Sequence, residues 1–84
     1  MDNSKRYILI IGANGSLGSN ITNHLVKKKK NVLAFTRKKS DISRIKNLSK
    51  HLEIIEFNKS NLKKYFKEKK ITHIFNCVVS YDRN

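Results

Sequence analysis

The sequence predicts an α/β fold in which parallel strands alternate with helices. Three observations lead to this prediction. Four short apolar segments have strand character, the segments between them have helical patterns, and all three glycines of the chain follow directly after the first apolar segment. With 84 residues, the chain is shorter than a typical domain of about 100–200 residues. We therefore expect one partial domain over residues 1–84, with the element order β-α-β-α-β-α-β.

The first half of the chain predicts a strand, a helix and a second strand. Tyr7–Ile11 is continuous, apolar and rich in β-branched residues, which is typical of a strand buried on both faces. From Ser16 to about Lys30 the pattern is helical, because apolar residues recur every four positions at Leu17, Ile21 and Leu25. Asn31–Thr36 is the second predicted strand.

The second half repeats this alternation. A short helix is expected from Ser40 or Asp41 to about Leu48, followed by a third strand at His51–Phe57. After a loop at Asn58–Asn61, we expect Ser60 or Asn61 to cap a helix whose inner face carries Leu62, Tyr65 and Phe66.

A fourth strand is predicted at Ile71–Val79. Right-handed crossovers between parallel strands then give a doubly wound sheet, truncated to about four strands, in the spatial order 3-2-1-4. In that order the fourth strand lies at an edge and exposes apolar side chains, so self-association through this strand is an expectation to test.

The chain is strongly basic, with 19 Lys and Arg against six Asp and Glu and a net charge of +13. These cations fill nearly every polar position, which indicates a compositional bias more than a dedicated patch. We expect weak, non-specific attraction to polyanions at low salt but no specific nucleic-acid site. The single cysteine, Cys77, permits no internal disulfide and fits a reducing cytoplasm, and no apolar run is long enough to cross a membrane.

The three glycines have the context of a phosphate-binding loop between a strand and a helix. Gly12 lets the chain turn out of the strand, Gly15 lets a pyrophosphate approach the backbone, and Gly18 lets the helix pack closely. The phosphates would meet the positive helix start. The spacing is GxxGxxG, and we include the intervening residues Asn14, Ser16 and Leu17 in the predicted cofactor site. The alternative is a tight turn without a ligand.

The end of the second strand bears on cofactor choice. A fold that binds NAD usually has a carboxylate there for the ribose hydroxyls, whereas this chain has Arg37 and Lys38. A cation suits a 2′-phosphate, and an Arg side chain can also lie flat on adenine. These residues favour NADP over NAD. The alternative is that Arg37 is one more cation of a basic chain.

The residues "GANGSLGSN" and "TRKKSDISRI" resemble the N-terminal part of the extended short-chain dehydrogenase/reductase superfamily, the NAD(P)-dependent epimerase/dehydratase family. The resemblance implies a Rossmann-like NAD(P)-binding part. It also implies an adenine contact after the third strand, where Asn58 and Lys59 stand in place of an acidic residue. A small-residue turn over the cofactor would be formed by Cys77, Val78 and Val79, which are bulkier than the family's usual residues.

The family's chemistry requires a tyrosine, a lysine four residues later and a Ser or Thr, which the resemblance places beyond these 84 residues. Tyr65 and Lys69 have the same spacing, but they lie in the wrong helix, and Tyr65 is interpreted as core. No catalytic residue and no metal ligand is therefore assigned. Whether the chain is an enzyme is left open.

The sequence thus favours an NADP(H)-binding part of an epimerase, dehydratase or reductase that acts by hydride transfer, with a nucleotide sugar among the candidate substrates. Two alternatives remain. One is a non-catalytic regulatory module that reads NADP, and the other is a basic nucleic-acid-binding protein.

Overall fold

The computed structural model describes residues 5–37, 45 and 50–78. In this part of the chain, strands β1 (Tyr7–Ile11), β2 (Val32–Thr36), β3 (Leu52–Glu56) and β4 (Ile71–Asn76) form one sheet. Helix α1 (Ser16–Lys27) connects β1 to β2, and helix α2 (Lys59–Glu68) connects β3 to β4. The predicted helix from Ser40 or Asp41 to Leu48 lies outside the described residues except for Ile45, which is buried.

All three strand pairings are parallel, and the strand order is β3-β2-β1-β4. The predicted doubly wound order is therefore confirmed. Because the strands are parallel, their carboxyl ends meet at one edge of the sheet and their amino ends at the opposite edge. These two edges are called the carboxyl end and the amino end below.

Side chains of each strand alternate between two apolar layers. Ile10 and Ala34 face the layer that contains Val26 of α1, whereas Leu9 and Phe35 face the layer that contains Tyr65 of α2. Every residue of β2 is buried. Burial of each large apolar side chain stabilises the fold by about 1.5–3 kcal/mol. The central strands β1 and β2 are therefore firmly packed, and they fix the position of the loop residues that follow them at the carboxyl end.

Helix α1 is shorter than the sequence predicted, since it ends at Lys27 and not near Lys30. Lys29 has a φ of 63°, in the left-handed region. The N–H of Lys29 donates to the carbonyl of Val26 at 2.9 Å, and the N–H of Lys30 donates to that of Leu25 at 3.0 Å. These two bonds are the Schellman pattern that closes a helix, with lysine at the position where glycine is usual.

Helix α2 begins earlier than predicted. Asn58 is its N-cap, and the Asn58 Oδ1 accepts the N–H of Asn61 at 2.7 Å. The prediction that Ser60 or Asn61 caps this helix was wrong. Both residues lie inside the first turn, and the Asn58 side chain accepts one of the N–H groups that this turn leaves free.

Strand β4 ends at Asn76 rather than at Val79. It is an edge strand of the described sheet, and Ile74 on it is 52% exposed. Self-association through β4 stays a prediction. No helix in the described ranges is both long and apolar enough to pass through a membrane.

Candidate functional site

The loop after β1 is tied to the neighbouring strand by its own backbone. Gly12 adopts a φ of 78°, which side chains rarely tolerate. The N–H groups of Gly12 and Ala13 both donate to the carbonyl of Phe35, with N–O distances of 3.0 and 3.2 Å. The N–H of Gly15 donates back to the Gly12 carbonyl at 3.2 Å. The loop is therefore held in one conformation at the carboxyl end.

Gly18 and Gly15 differ in what surrounds them. A Cβ on Gly18 would overlap the Gly12 carbonyl oxygen and lie 2.9 Å from the Cα of Ala13. A Cβ on Gly15 would meet only the Gly12 oxygen, at an ordinary 3.6 Å. The fold itself therefore needs glycine at position 18. At position 15 the lack of a side chain leaves open space in front of the loop.

The first turn of α1 faces this space, and no side chain caps it. Gly15 is the N-cap, no side chain bonds to the first turn, and that turn carries no acidic residue. The first N–H groups of a helix have no partner within the helix. Together with the positive end of the helix dipole, they favour an anion at this point.

A cavity of about 800 Å³ extends from the loop across the carboxyl ends of all four strands. Its volume is within the range of about 300–1,000 Å³ that is typical of small-molecule sites. Eight residues predicted from the sequence line it: Gly12, Asn14, Gly15, Ser16, Leu17, Arg37, Cys77 and Val78.

The other predicted residues are placed differently. Gly18 is buried beneath the loop. Asn58 and Lys59 begin α2 and do not line the cavity, and the Asn58 acceptor is used as the helix cap. Lys38 and Val79 lie outside the described residues.

The structure adds aromatic residues that sequence reasoning missed. Phe35 forms part of the cavity wall, and Phe57 next to it is 43% exposed. Their ring centroids lie 6.0 Å apart in an edge-to-face arrangement. A signal was available, because Phe57 directly follows the third strand and residues at that point reach the carboxyl end. Asn20 and Thr36 line the cavity as well.

The described residues bring little charge to the cavity. Of the described residues that line it, only Arg37 is charged, and none is a carboxylate. Burial raises the pKa of the Cys77 thiol, so this group is protonated at neutral pH and is a poor nucleophile. No cluster of potential metal ligands occurs within the ranges the structure describes.

Tyr65 and Lys69 do not form a catalytic pair in this structure. The Tyr65 hydroxyl donates to the Glu53 carboxylate at 2.5 Å, and its ring packs edge-on against Phe35, with centroids 5.9 Å apart. The hydrogen bond to Glu53, followed by burial, raises the pKa of Tyr65 to about 12. The Lys69 Nζ instead lies 5.0 Å from the centre of the Tyr7 ring. The interpretation of Tyr65 as core is confirmed, because it is 9% exposed.

Comparison with known proteins agrees with this geometry. The sequence model of the NAD dependent epimerase/dehydratase family matches residues 8–84. A search of curated proteins finds no match. A glycine loop of this shape, an uncapped helix start and a cavity across the carboxyl ends of a parallel sheet are the features of a dinucleotide site. The chain therefore belongs to the NAD-dependent epimerase/dehydratase family, and its Rossmann-like fold is that of a module for an NAD(P) dinucleotide.

Proposed function

We propose that the chain binds NADP(H) at the carboxyl end of its sheet, as the nucleotide-binding part of an epimerase, dehydratase or reductase. The observation that supports this best is the open space at Gly15, in front of the uncapped start of α1. A nicotinamide cofactor held there supplies a donor or acceptor of hydride for a carbinol or ketone carbon.

The pyrophosphate is assigned to the loop and the first turn of α1. At Gly15 a side chain would meet almost no protein atom, so the space is available to a ligand. The free N–H groups of the first turn point into the same region, and no nearby acidic residue repels an anion. Asn14 and Ser16 border this space and contribute polar groups.

Arg37 is assigned to the 2′-phosphate. Its position at the cavity, after the last residue of β2, is where an NAD site would place a carboxylate. In the described lining there is no carboxylate to bind the two ribose hydroxyls of NAD. An exposed guanidinium gains a charge-assisted contact with a phosphate, and this gain favours NADP.

The adenine ring is assigned to the surface beside Arg37 and Phe57, which both line the cavity. Phe57 offers a partly exposed apolar face, and a guanidinium can stack on a planar base. Contacts from Asn58 and Lys59 remain predictions, since neither residue lines the cavity.

The cavity lining supports cofactor binding but includes no tyrosine among the described residues. Tyr65 is buried against Glu53 and does not line the cavity. We therefore assign binding to this chain. The described residues supply no Tyr–Lys pair for proton transfer at this cavity, and a nucleotide sugar remains a candidate substrate. A regulatory module that reads NADP without catalysis is the second proposal, and the same binding site would serve it.

Cofactor preference tests the proposal directly. NADPH and NADH are titrated by calorimetry against the wild type, Arg37→Ala and the control variant Lys63→Ala. Lys63 is an exposed cation on α2 that does not line the cavity. Loss of one charge-assisted contact costs about 1.5–3 kcal/mol, roughly a tenfold to hundredfold affinity change. Arg37→Ala should lose this amount for NADPH only, and Lys63→Ala should bind like the wild type. Equal affinity of the wild type for both cofactors would refute NADP preference, and no binding of either would refute the proposed function.

A further inference from the structure

Parallel topology gathers cations at the amino end of the sheet. Seven Lys and Arg residues lie within the three positions that precede the first residue of a strand: Lys5, Arg6, Lys29, Lys30, Lys50, Lys69 and Lys70. Among the described residues at these positions, only Glu68 is acidic. A basic composition that looks uniform along the sequence therefore becomes a concentrated positive field in the fold.

A second cavity lies at this end, with a volume of about 560 Å³. Lys5, Arg6, Lys29 and Lys30 line it, and no carboxylate does so among the described residues. Ile8 and the half-buried ring of Phe75 are also part of its wall. Four like charges around an apolar surface repel one another, and an anion with a flat apolar part would relieve that repulsion.

Lys29 is held there in an unfavourable backbone conformation. Its φ of 63° is normally adopted by glycine, yet the Schellman bonds fix it at this point. The turn ends α1 and brings Lys29 and Lys30 to the cavity. Backbone strain at a residue lining a charged cavity is consistent with a role in binding.

We propose that the amino end binds single-stranded nucleic acid, with one base against Phe75 and the phosphates along the cations that precede the strands. The cations extend beyond the cavity, since Tyr7 has the Nζ of Lys5, which lines the cavity, 5.7 Å from its ring centre and the Nζ of Lys69, which does not line it, 5.0 Å from its ring centre. Four strands spaced about 4.8 Å apart span roughly 14 Å, which is enough for several successive phosphates.

The shape of the site favours a single strand over a duplex or a small anion. Bases of a single strand are free to stack on an aromatic side chain, whereas those of a duplex are stacked on one another. A compact anion would use the cavity but not the cations beyond it, such as Lys50 and Lys70. Stacking on Phe75 combined with a row of cations is the arrangement that binds single strands with little sequence preference.

The test compares two triple variants of equal net charge. Binding of a labelled single strand of about 12 nucleotides is followed by fluorescence anisotropy between about 50 and 200 mM salt. One variant carries Lys5→Gln, Lys29→Gln and Lys30→Gln. The control carries Lys63→Gln, Lys64→Gln and Lys67→Gln, all exposed on α2. The first should weaken binding about tenfold or more and flatten the salt slope by about 2, and the control should change binding by less than about threefold. Equal losses would show that only net charge matters and would overturn the proposal.

Further measurements separate a binding site from a folding defect and from the dinucleotide cavity. Lys29→Gly removes a cation while relieving backbone strain, so it should bind the oligonucleotide more weakly without a loss of thermal stability. Phe75→Leu should reduce binding of the oligonucleotide but not of inorganic polyphosphate. Equal binding of the oligonucleotide by Phe75→Leu and wild type would reject base stacking and with it the nucleic-acid assignment. Saturating NADPH should leave the oligonucleotide bound, and displacement by NADPH would place it at the carboxyl end and overturn the proposal.

Discussion

The two ends of the sheet present different groups to an anion. At the carboxyl end, a cavity of about 800 Å³ is bordered by the glycine loop, the start of α1 and a single described cation, Arg37. At the amino end, a cavity of about 560 Å³ is bordered by four cationic side chains. The first end offers fixed backbone N–H groups, and the second offers flexible charges. We expect the first to be specific for one ligand geometry and the second to be sensitive to salt.

Helix direction contributes to this difference. Both helices begin at the carboxyl end and finish at the amino end, so their dipoles are positive at the first end and negative at the second. A cation in the last turn of α1, such as Lys27, interacts favourably with the negative end of the dipole and stabilises the helix by about 0.3–1 kcal/mol. Lys27 therefore has a structural effect that is separate from the binding proposed for the seven cations that precede the strands.

The largest expected effect separates binding from folding within the glycine loop. Gly15 has extended backbone angles, φ −77° and ψ 178°, and room for a Cβ, so Gly15→Val should remain folded. Its branched side chain would fill the space assigned to the pyrophosphate, and NADPH affinity should fall by about a hundredfold or more, roughly 2.7 kcal/mol. Calorimetric titration measures the affinity, and circular dichroism measures the helix content.

Gly18→Ala is the variant matched to Gly15→Val, and it should lose stability while keeping NADPH binding. Its methyl group would overlap the Gly12 carbonyl, so stability should fall by about 1–3 kcal/mol in urea unfolding, and the molecules that remain folded should still bind NADPH. Normal NADPH binding by Gly15→Val would mean that the loop is only a turn.

A smaller effect concerns Tyr65, and it tests whether this core residue contributes to stability without affecting NADPH binding. The raised pKa of Tyr65 favours the neutral phenol in the folded chain, so its contribution is fully present below pH 10 and is lost as pH rises towards about 12. The difference in unfolding free energy between wild type and Tyr65→Phe should be constant from pH 7 to 10 and shrink above that range. Urea unfolding measures it.

Because Lys side chains also lose charge above pH 10, only the difference between the two proteins is informative. NADPH affinity at pH 7 should be the same in both proteins, since Tyr65 contacts Phe35 but does not itself line the cavity. Weaker binding by Tyr65→Phe would show that the core around Tyr65 is coupled to the cavity through Phe35.

The smallest effect concerns the strained lysine at the amino end. Lys29→Gly should stabilise the chain by about 1 kcal/mol, because glycine adopts a positive φ without the Cβ penalty. Thermal unfolding measures this gain, and Lys28→Gly is the control. Lys28 has a φ of −85°, so glycine there should bring no gain. A loss of stability in Lys29→Gly would mean that this side chain makes contacts whose contribution exceeds the backbone strain.

Much of the fold was predictable because it depends on local pattern. The continuous apolar run at Tyr7–Ile11 and the i+4 spacing in α1 identified their elements, and alternation of strands and helices identified the sheet order. The ends of helices were less predictable. Asn58, Ser60 and Asn61 are all good capping residues, and only the path of the chain decides which of them reaches a free N–H.

The sequence by itself determined the strand–loop–helix unit and most of the cavity lining, because the glycine spacing and the residues after each strand are local features. Tertiary structure decided which glycine packing requires, since Gly18 and Gly15 differ only in what lies opposite them. It brought Phe57 beside Phe35 and placed Asn58 outside the cavity. It also decided where the charge concentrates. Cations that are evenly spread along the chain meet at the amino end because the parallel strands all begin there.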